Sequence, residues 1–383
     1  MAIEKQGPED IIDTSTTQDV DGVDSQIIEV LEAMNSEEDV QMQADGSAIL
    51  GPEEPMMPEV GFAENLAEVI SEKELSTIYI ELVGAIESDK SSREDWENTY
   101  TDGLKYLGMK FDDNRSEPFA GASGVIHPLL GESVTQFQAQ AYKELLPAGG
   151  PVKTQVIGAY DGLVEEQAQR VKEFMNYQIL HVMEEYDEEL DQMLFYLPLA
   201  GSAFKKVYYD ETLGRPVSKF VAPEDLIVPY YTTDLETCSR ITHVVKMPEN
   251  DVRKLQAIGF YKNVDVDTGD NVTLNSDIQS EKEKLEGMEP SYDDGEVSIL
   301  YEVHCNLDLE GFEDMGQDGE PSGVKLPYIV TIDSNSENIL AVRRNFKEED
   351  PMKKKTEYFV HFKFLPGLGF YGFGLTHMIG GLS

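Results

Sequence analysis

The sequence predicts an α+β protein in which amphipathic helices come first and a mainly antiparallel sheet follows. Three observations carry this. Between Leu66 and Leu197 apolar residues recur every three or four positions. Beyond Pro198 the period shortens to two, and β-branched and aromatic residues dominate. Before Leu66 neither period is sustained, and the chain is rich in Asp, Glu, Gln, Ser, Gly and Pro.

Residues 1–65 read as a disordered acidic arm in which Lys5 is the only basic residue. Its IIEVLEAMNSEEDV segment has helical spacing but too little apolar surface to offset chain entropy alone. Residues 66–200 form the helical part. Leu66, Val69, Ile70, Leu75, Ile78, Ile80, Leu82 and Val83 indicate a first helix with imperfect spacing. Trp96, Tyr100, Leu104 and Leu107 mark a second, with Ser91 or Ser92 as cap and Gly108 as stop. Phe119–His127 is a turn-rich loop, and Pro128 suits the first position of a helix running to about Leu146. Pro147 to Pro151 ends it. Val164–Met183 is the next helix, with Val171, Phe174, Met175, Ile179 and Val182 as its stripe, and Glu184–Leu197 continues or kinks from it.

Residues 201–366 form the mainly β part. Strands are expected at Phe204–Asp210, Pro216–Ala222, Ile241–Met247, Glu296–Leu309, Leu326–Asp333, Ile339–Asn345 and Thr356–Phe364. A short helix capped by Asn250 and a polar, partly disordered insertion at 264–294 interrupt them. Residues 367–383 turn and open an apolar helix at about Leu375, the expected start of a stem that continues past the end of this sequence.

The chain carries 30 basic and 74 acidic residues, a formal net charge of −44. Such a surface repels nucleic acid over about a Debye length, ~8 Å at physiological salt, which argues against tight sequence-specific DNA binding. It equally suits a soluble protein in a salty environment. Cys238 and Cys305 are too few for a disulfide framework or a four-cysteine zinc site, and read as reduced core residues. No secretory leader pattern opens the chain, and no run of ~18 apolar residues indicates a membrane span.

The motifs that resemble chemistry each have a plainer reading. Gly367, Gly369 and Gly372 spell G-x-G-x-x-G, but Phe370, Tyr371 and Phe373 would crowd a pyrophosphate, so a glycine-rich bend from sheet to helix is expected. His181 with Glu184 and Glu185 has metal-like spacing but no partnering helix, so the EEYDEELD run reads as a solvated face, or else an acidic lining or subunit contact. His243, His304 and His361 lie in strands and are expected to be satisfied locally, with Cys305 on the opposite face from His304. His127 and His377 stand singly, and Ser123 and Ser133 lack the nucleophile-elbow pattern. Lys205–Lys206, Arg343–Arg344 and Met352–Lys355 are basic clusters suited to intersubunit salt bridges or DNA phosphates. The sequence therefore assigns no catalytic, cofactor-binding or metal-binding residue.

Three segments, in order, carry a resemblance: PFAGASGVIHPLL with FQAQAYKELLPAGGPVKTQ in Pro118–Gly158, FMNYQIL with LDQMLFYLPLAGSAFKKVYYD in Phe174–Asp210, and GRPVSKFVAPEDLIVPYYTTDLETCSRITHVVKM in Gly214–Met247. FKFLPGLGFYGFGLTHMIGGL is a weaker echo. Over roughly Ser91–Ser383 the chain resembles the portal proteins of short-tailed, P22-like bacteriophages. The resemblance implies a structural head–tail connector and no enzyme. It implies a homo-oligomeric ring, typically of twelve subunits, at the capsid vertex, through which DNA is packaged and ejected. It also implies a terminase motor, scaffold or capsid and tail-adaptor proteins as partners, and transient non-specific contact with double-stranded DNA. The place would be the virion, after assembly in the host cytoplasm. Here 66–366 would be the wing, and its helices 128–146 and 164–197, with the sheet after Ala203, would make subunit contacts. Two other readings remain open on composition: an acidic metal-dependent hydrolase or nuclease, and a capsid-associated binding protein that is not the portal.

Overall fold

The computed structural model describes residues 40–42, 48–50, 60–107, 128–158, 161–266, 277–287, 297–316 and 320–379. The chain divides into Met1–Pro58 and Glu59–Ser383. In the first unit β1 (Val40–Met42) pairs antiparallel with β2 (Ala48–Leu50). The remainder of the arm expected to be disordered, up to residue 59, lies outside the described residues. So do the loop at 119–127, the stop at Gly108, and residues 267–276 and 288–296 of the polar insertion.

The second unit begins earlier than the expected boundary at residue 65. Asn65 is buried and caps a 3-10 turn, Leu66–Glu68, by accepting from Ala67 N. The turn separates Leu66 from the first long helix, α1 (Glu72–Ser92), and explains the imperfect spacing. Ser71 caps α1 by accepting from Glu74 N at 3.3 Å. Leu75, Ile78, Leu82, Ile86 and Asp89 form its buried stripe, whereas Ile80 points outward.

The expected cap at Ser91 or Ser92 is not made. Both residues belong to α1, and Arg93 alone separates it from α2 (Glu94–Tyr106). Distant pairings extend α1: Asp89 accepts from Arg240, at 2.5 Å from Nη2. α3 (Leu129–Leu145), α4 (Gly162–Tyr177), a π-helical turn at Gln178–Val182 and α5 (Tyr186–Ala200) follow. α5 runs past Leu197 and holds Pro198, ending where Gly201 takes the left-handed conformation at φ 81°.

The three-stranded sheet has the order β10–β3–β4, formed by Phe359–Lys363, Ser202–Asp210 and Arg215–Val221. The five-stranded sheet runs β5 (Leu226–Ile227), β6 (Arg240–Pro248), β7 (Val297–Leu307), β8 (Leu326–Asp333), β9 (Ile339–Arg344), antiparallel throughout. α6 (Glu249–Ala257) follows Pro248 directly, so the expected Asn250 cap is also absent. α7 (Asp277–Glu286) lies inside the insertion, and α8 (Leu375–Ile379) closes the described chain.

Strand alternation sorts the layers. On β7, Ile299, Tyr301, Val303, Cys305 and Leu307 face α1. Leu300, Glu302 and His304 face the other way: Leu300 packs with Val252 of α6, and Glu302 meets Lys206 of β3. The three-stranded sheet presents Phe204 and Phe359 to that seam, and Ala203 to Leu190, Met193, Leu194 and Leu197 of α5. The order is helix, sheet, sheet, helix. Each fully buried Leu, Val or Phe contributes ~1.5–3 kcal/mol, so this stack holds most of the hydrophobic stabilisation.

Candidate interaction surface

Helix α4 differs from every other long helix in the body: none of its residues is buried. Its amphipathic spacing nevertheless produces an apolar stripe. Phe174 is 62% exposed, Val171 50% and Met175 44%, and Leu163, Tyr177 and, in the π-turn, Leu180 are exposed as well. Of the expected stripe, Val171, Phe174 and Met175 therefore face solvent in the isolated chain.

The helix is held at its edge rather than along its stripe. Asp161 caps it, accepting from Leu163 N at 3.4 Å. Asn176 brackets Val152, accepting from its N–H at 2.9 Å and donating to its carbonyl at 3.2 Å. Thr154 Oγ1 donates to Ala168 O at 3.1 Å. Gly150 makes this possible: φ is +88°, and a Cβ there would lie 2.3 Å from Asn176 Oδ1. α3 and α5, by contrast, bury their apolar faces on each other through Phe137, Ala141, Leu190 and Leu194.

The EEYDEELD run is not simply a wet face. Glu185 accepts from Arg215 Nη1 at 2.5 Å and from Ser218 N at 3.0 Å, and Glu189 accepts from Phe220 N. These carboxylates satisfy outward N–H groups of β4, the edge strand, and so block further strand pairing there. With Glu185 so engaged, its shared metal site with His181 has lost a ligand. The Glu185 carboxyl is held below its usual range: burial opposes the charge, but Arg215 and two backbone donors outweigh it.

Most cations of the three basic clusters are engaged inside the chain. Lys206 donates to both oxygens of Glu302, at 2.7 and 2.6 Å. Arg343 donates to Ala63 O and Phe260 O, and Arg344 to Gly61 O and Phe62 O. Lys353 pairs with Asp314 at 2.6 Å, and Lys355 donates to Leu235 O and Cys238 O. Lys205 is buried with no hydrogen-bond partner among the described residues, 4.2 Å over the Tyr186 ring. Burial lowers its ammonium to about 8. Lys354 remains exposed.

Arg93 is the clearest of these internal clamps, and it was not singled out from the sequence. Its guanidinium donates to Pro223 O, Glu224 O, Leu226 O, Tyr371 Oη and Glu97. Tyr371 in turn stacks on Trp96 at 4.4 Å. One side chain thus ties the α1–α2 junction to the turn before β5 and to the glycine-rich segment. That segment approaches backbone to backbone: a Cβ on Gly201 would lie 2.3 Å from Gly372 O, and one on Gly374 2.5 Å from Leu199 O. Packing against the α5–β3 junction, not a ligand, takes up the space beside Gly372.

The histidines differ from one another. His304 Nε2 meets Glu302 Oε1 at 2.7 Å, and His361 Nε2 meets Ser202 Oγ at 3.1 Å. His243 Nδ1 is buried without a partner among the described residues, which corrects the expectation of local satisfaction. Burial first, and Lys206 second, lower His243 to about 4, and burial lowers His361 to about 3. His377 Nδ1 accepts from Gly374 N, and Ser133 Oγ donates to Leu129 O. His127 and Ser123 lie outside the described residues. Cys238 and Cys305 are buried free thiols, Cys305 on the α1 face opposite His304, its thiol pushed up to about 12 by burial. Among the described residues no group of three or more His, Cys, Asp or Glu is placed to hold a metal, and no helix is long and apolar enough to cross a membrane.

Comparison with models of known protein families gives no match, and comparison with curated proteins gives none.

Proposed function

We propose that the chain is the wing and adjoining body of a portal-type head–tail connector, and that it works by assembling into a ring rather than by catalysis. The observation that carries this is α4: a well-capped amphipathic helix whose apolar stripe has no cover among the described residues. Exposed stripes of this kind mark interaction sites. At 1.5 Å per residue α4 is ~24 Å long and presents a stripe of only ~240 Å², well below the ~800 Å² per partner of a stable interface. It must therefore be one part of a larger contact. A head-to-tail ring supplies this, because each copy offers two different surfaces. The exposed Val207, Tyr209 and Leu213 on the β3–β4 hairpin are a suitable second patch.

The internal engagement of the basic clusters supports the same reading. It leaves a strongly acidic exterior past which DNA can move without adhering. In this account the ring has about twelve subunits and sits at the capsid vertex of the virion. It is assembled in the host cytoplasm and met by a terminase motor, scaffold or capsid proteins and a tail adaptor. Mass and shape of the full-length gene product, by light scattering and negative-stain imaging, test the proposal. Rings with a central hole are expected. A stable monomer that cleaves DNA with magnesium or manganese would replace it with the hydrolase reading, and a silent monomer with a non-portal binding protein.

A further inference from the structure

Helices α1, α2 and α7, the turn before β5, and strands β6 and β7 border a cavity of about 170 Å³. Its floor is aliphatic, made by Ile227, Val244, Ile278 and Ile299. Ile278 is carried by α7 and seated in the cluster around Tyr100 and Leu104. Its walls are charged. Glu224 and Asp225 come from the 3-10 turn Pro223–Asp225, Lys90 from α1 and Lys246 from β6. Arg93 holds the carbonyls of Pro223, Glu224 and Leu226, which fixes the backbone that carries both carboxylates.

Charges of both signs are left unmatched there. Glu224 uses one oxygen on Lys282, and its Oε2 is buried without a partner. Asp225 makes no ion pair or side-chain hydrogen bond among the described residues. Tyr100, 2% exposed, has Glu224 as the charge acting most strongly on its hydroxyl, and that hydroxyl is unpartnered too. Lys90 spends one of its three donors on Tyr301 Oη, at 2.8 Å, and Lys246 one on Gln279 Oε1 of α7, at 3.4 Å. Neither lysine forms an ion pair among the described residues. Arg93 is committed to Glu97. Two ammonium groups with spare donors and two carboxylates with spare acceptors thus surround an apolar floor. Polar groups withdrawn from water without partners are costly, and a ligand of matching charges removes that cost. A cavity of about 150 Å³ admits benzene, so this one has room for a small organic molecule.

We propose that this cavity is a binding site for a free α-amino acid with an aliphatic side chain. Asp225 and the free oxygen of Glu224 take its ammonium group, Lys90 and Lys246 take its carboxylate, and the Ile/Val floor takes its side chain. A simple anion would leave the two carboxylates unmatched, and a simple amine the two lysines. The site therefore discriminates by what each wrong ligand leaves unpaired. Because Ile278 and Gln279 belong to α7, a bound amino acid also ties that helix to the body. The inference does not depend on the portal reading.

The test is isothermal titration of the full chain with L-leucine up to roughly 10 mM, where even a millimolar site fills. One saturable site per chain is expected. Leucine methyl ester lacks the carboxylate and isocaproate lacks the ammonium group. Each is expected to bind at least about tenfold more weakly, the loss of one charged hydrogen bond. Asp225→Asn and Lys246→Gln are each expected to weaken leucine binding by a similar factor. Amide hydrogen exchange of residues 277–287 is expected to slow when leucine is bound. The analogue comparison uses the parent chain and so decides the matter even if a variant does not fold. The proposal is overturned if leucine does not bind saturably, if either analogue binds as well as leucine, if a folded variant keeps the parent affinity, or if exchange of 277–287 is unchanged at saturation.

Discussion

The sheet body and helix α4 use the same ingredients to opposite ends. Both are written as periodic apolar patterns, and both are capped and hydrogen-bonded at their edges. In the body every stripe finds a second stripe: α1 on one sheet, α5 on the other, and the sheets on each other. Among the described residues the α4 stripe finds none. Amphipathic spacing thus shows only that a face is made to be covered, while tertiary structure shows whether the cover belongs to the same chain. The body is where stability resides, and α4 is where assembly is expected to reside.

The comparison breaks if the body tolerates what α4 should tolerate. Phe204 is fully buried between the sheets, so Phe204→Ala is expected to destabilise the monomer by ~3–5 kcal/mol in denaturant titration. Lys206→Met is expected to have a similar cost, ~3–5 kcal/mol, because it takes the lysine charge from the largely buried Glu302 carboxylate and leaves it only the His304 contact in the same seam. A loss within 0.5 kcal/mol for either would show that the two sheets are not packed as described.

Acid sharpens the comparison. His243 and His361 are kept neutral in the fold, whereas an unfolded histidine takes up a proton near pH 6.5. Their contribution is complete above pH 6.5 and is lost as pH falls through about 4 for His243 and about 3 for His361. Global stability, read from urea midpoints, should fall from pH 6.5 toward 4 by a few kcal/mol. A urea midpoint that does not fall over this interval would contradict the burial of these two histidines.

A smaller effect of opposite sign is expected at Lys205. Its ammonium is buried without a hydrogen bond, so Lys205→Met should stabilise the monomer by ~1–3 kcal/mol. A decrease in melting temperature would mean that the Tyr186 ring and the nearby Glu185 and Glu189 already compensate the charge.

Much of this fold is legible in the sequence because local period and side-chain chemistry agree. The seven expected strands are all present, and α3 and α5 end within a few residues of their predicted limits. What was not legible depends on partners far along the chain. Ser91 and Ser92 look like caps, yet Asp89 and Arg93 carry α1 through them by reaching Arg240 and the turn at 223–226. Arg343 and Arg344 look like outward charge, yet the carbonyls they satisfy come from residues 61–63 and 260. The acidic run at 184–191 has the composition of a solvated face, and only strand order shows that it borders an open sheet edge. The α4 stripe was visible as a pattern, but that it stays uncovered follows from the packing of its neighbours.

The smallest effect on stability should be the largest on assembly. The double change Val171→Ser and Phe174→Ser removes apolar groups that are already half or more exposed, so monomer stability should stay within ~0.5 kcal/mol. The most direct measurement is the mass of the full-length gene product, with and without this change, by light scattering at matched concentration and salt. A ring-sized parent and a folded, monomeric variant are the result this account predicts. A variant that assembles like its parent, or a parent that stays monomeric, would contradict it.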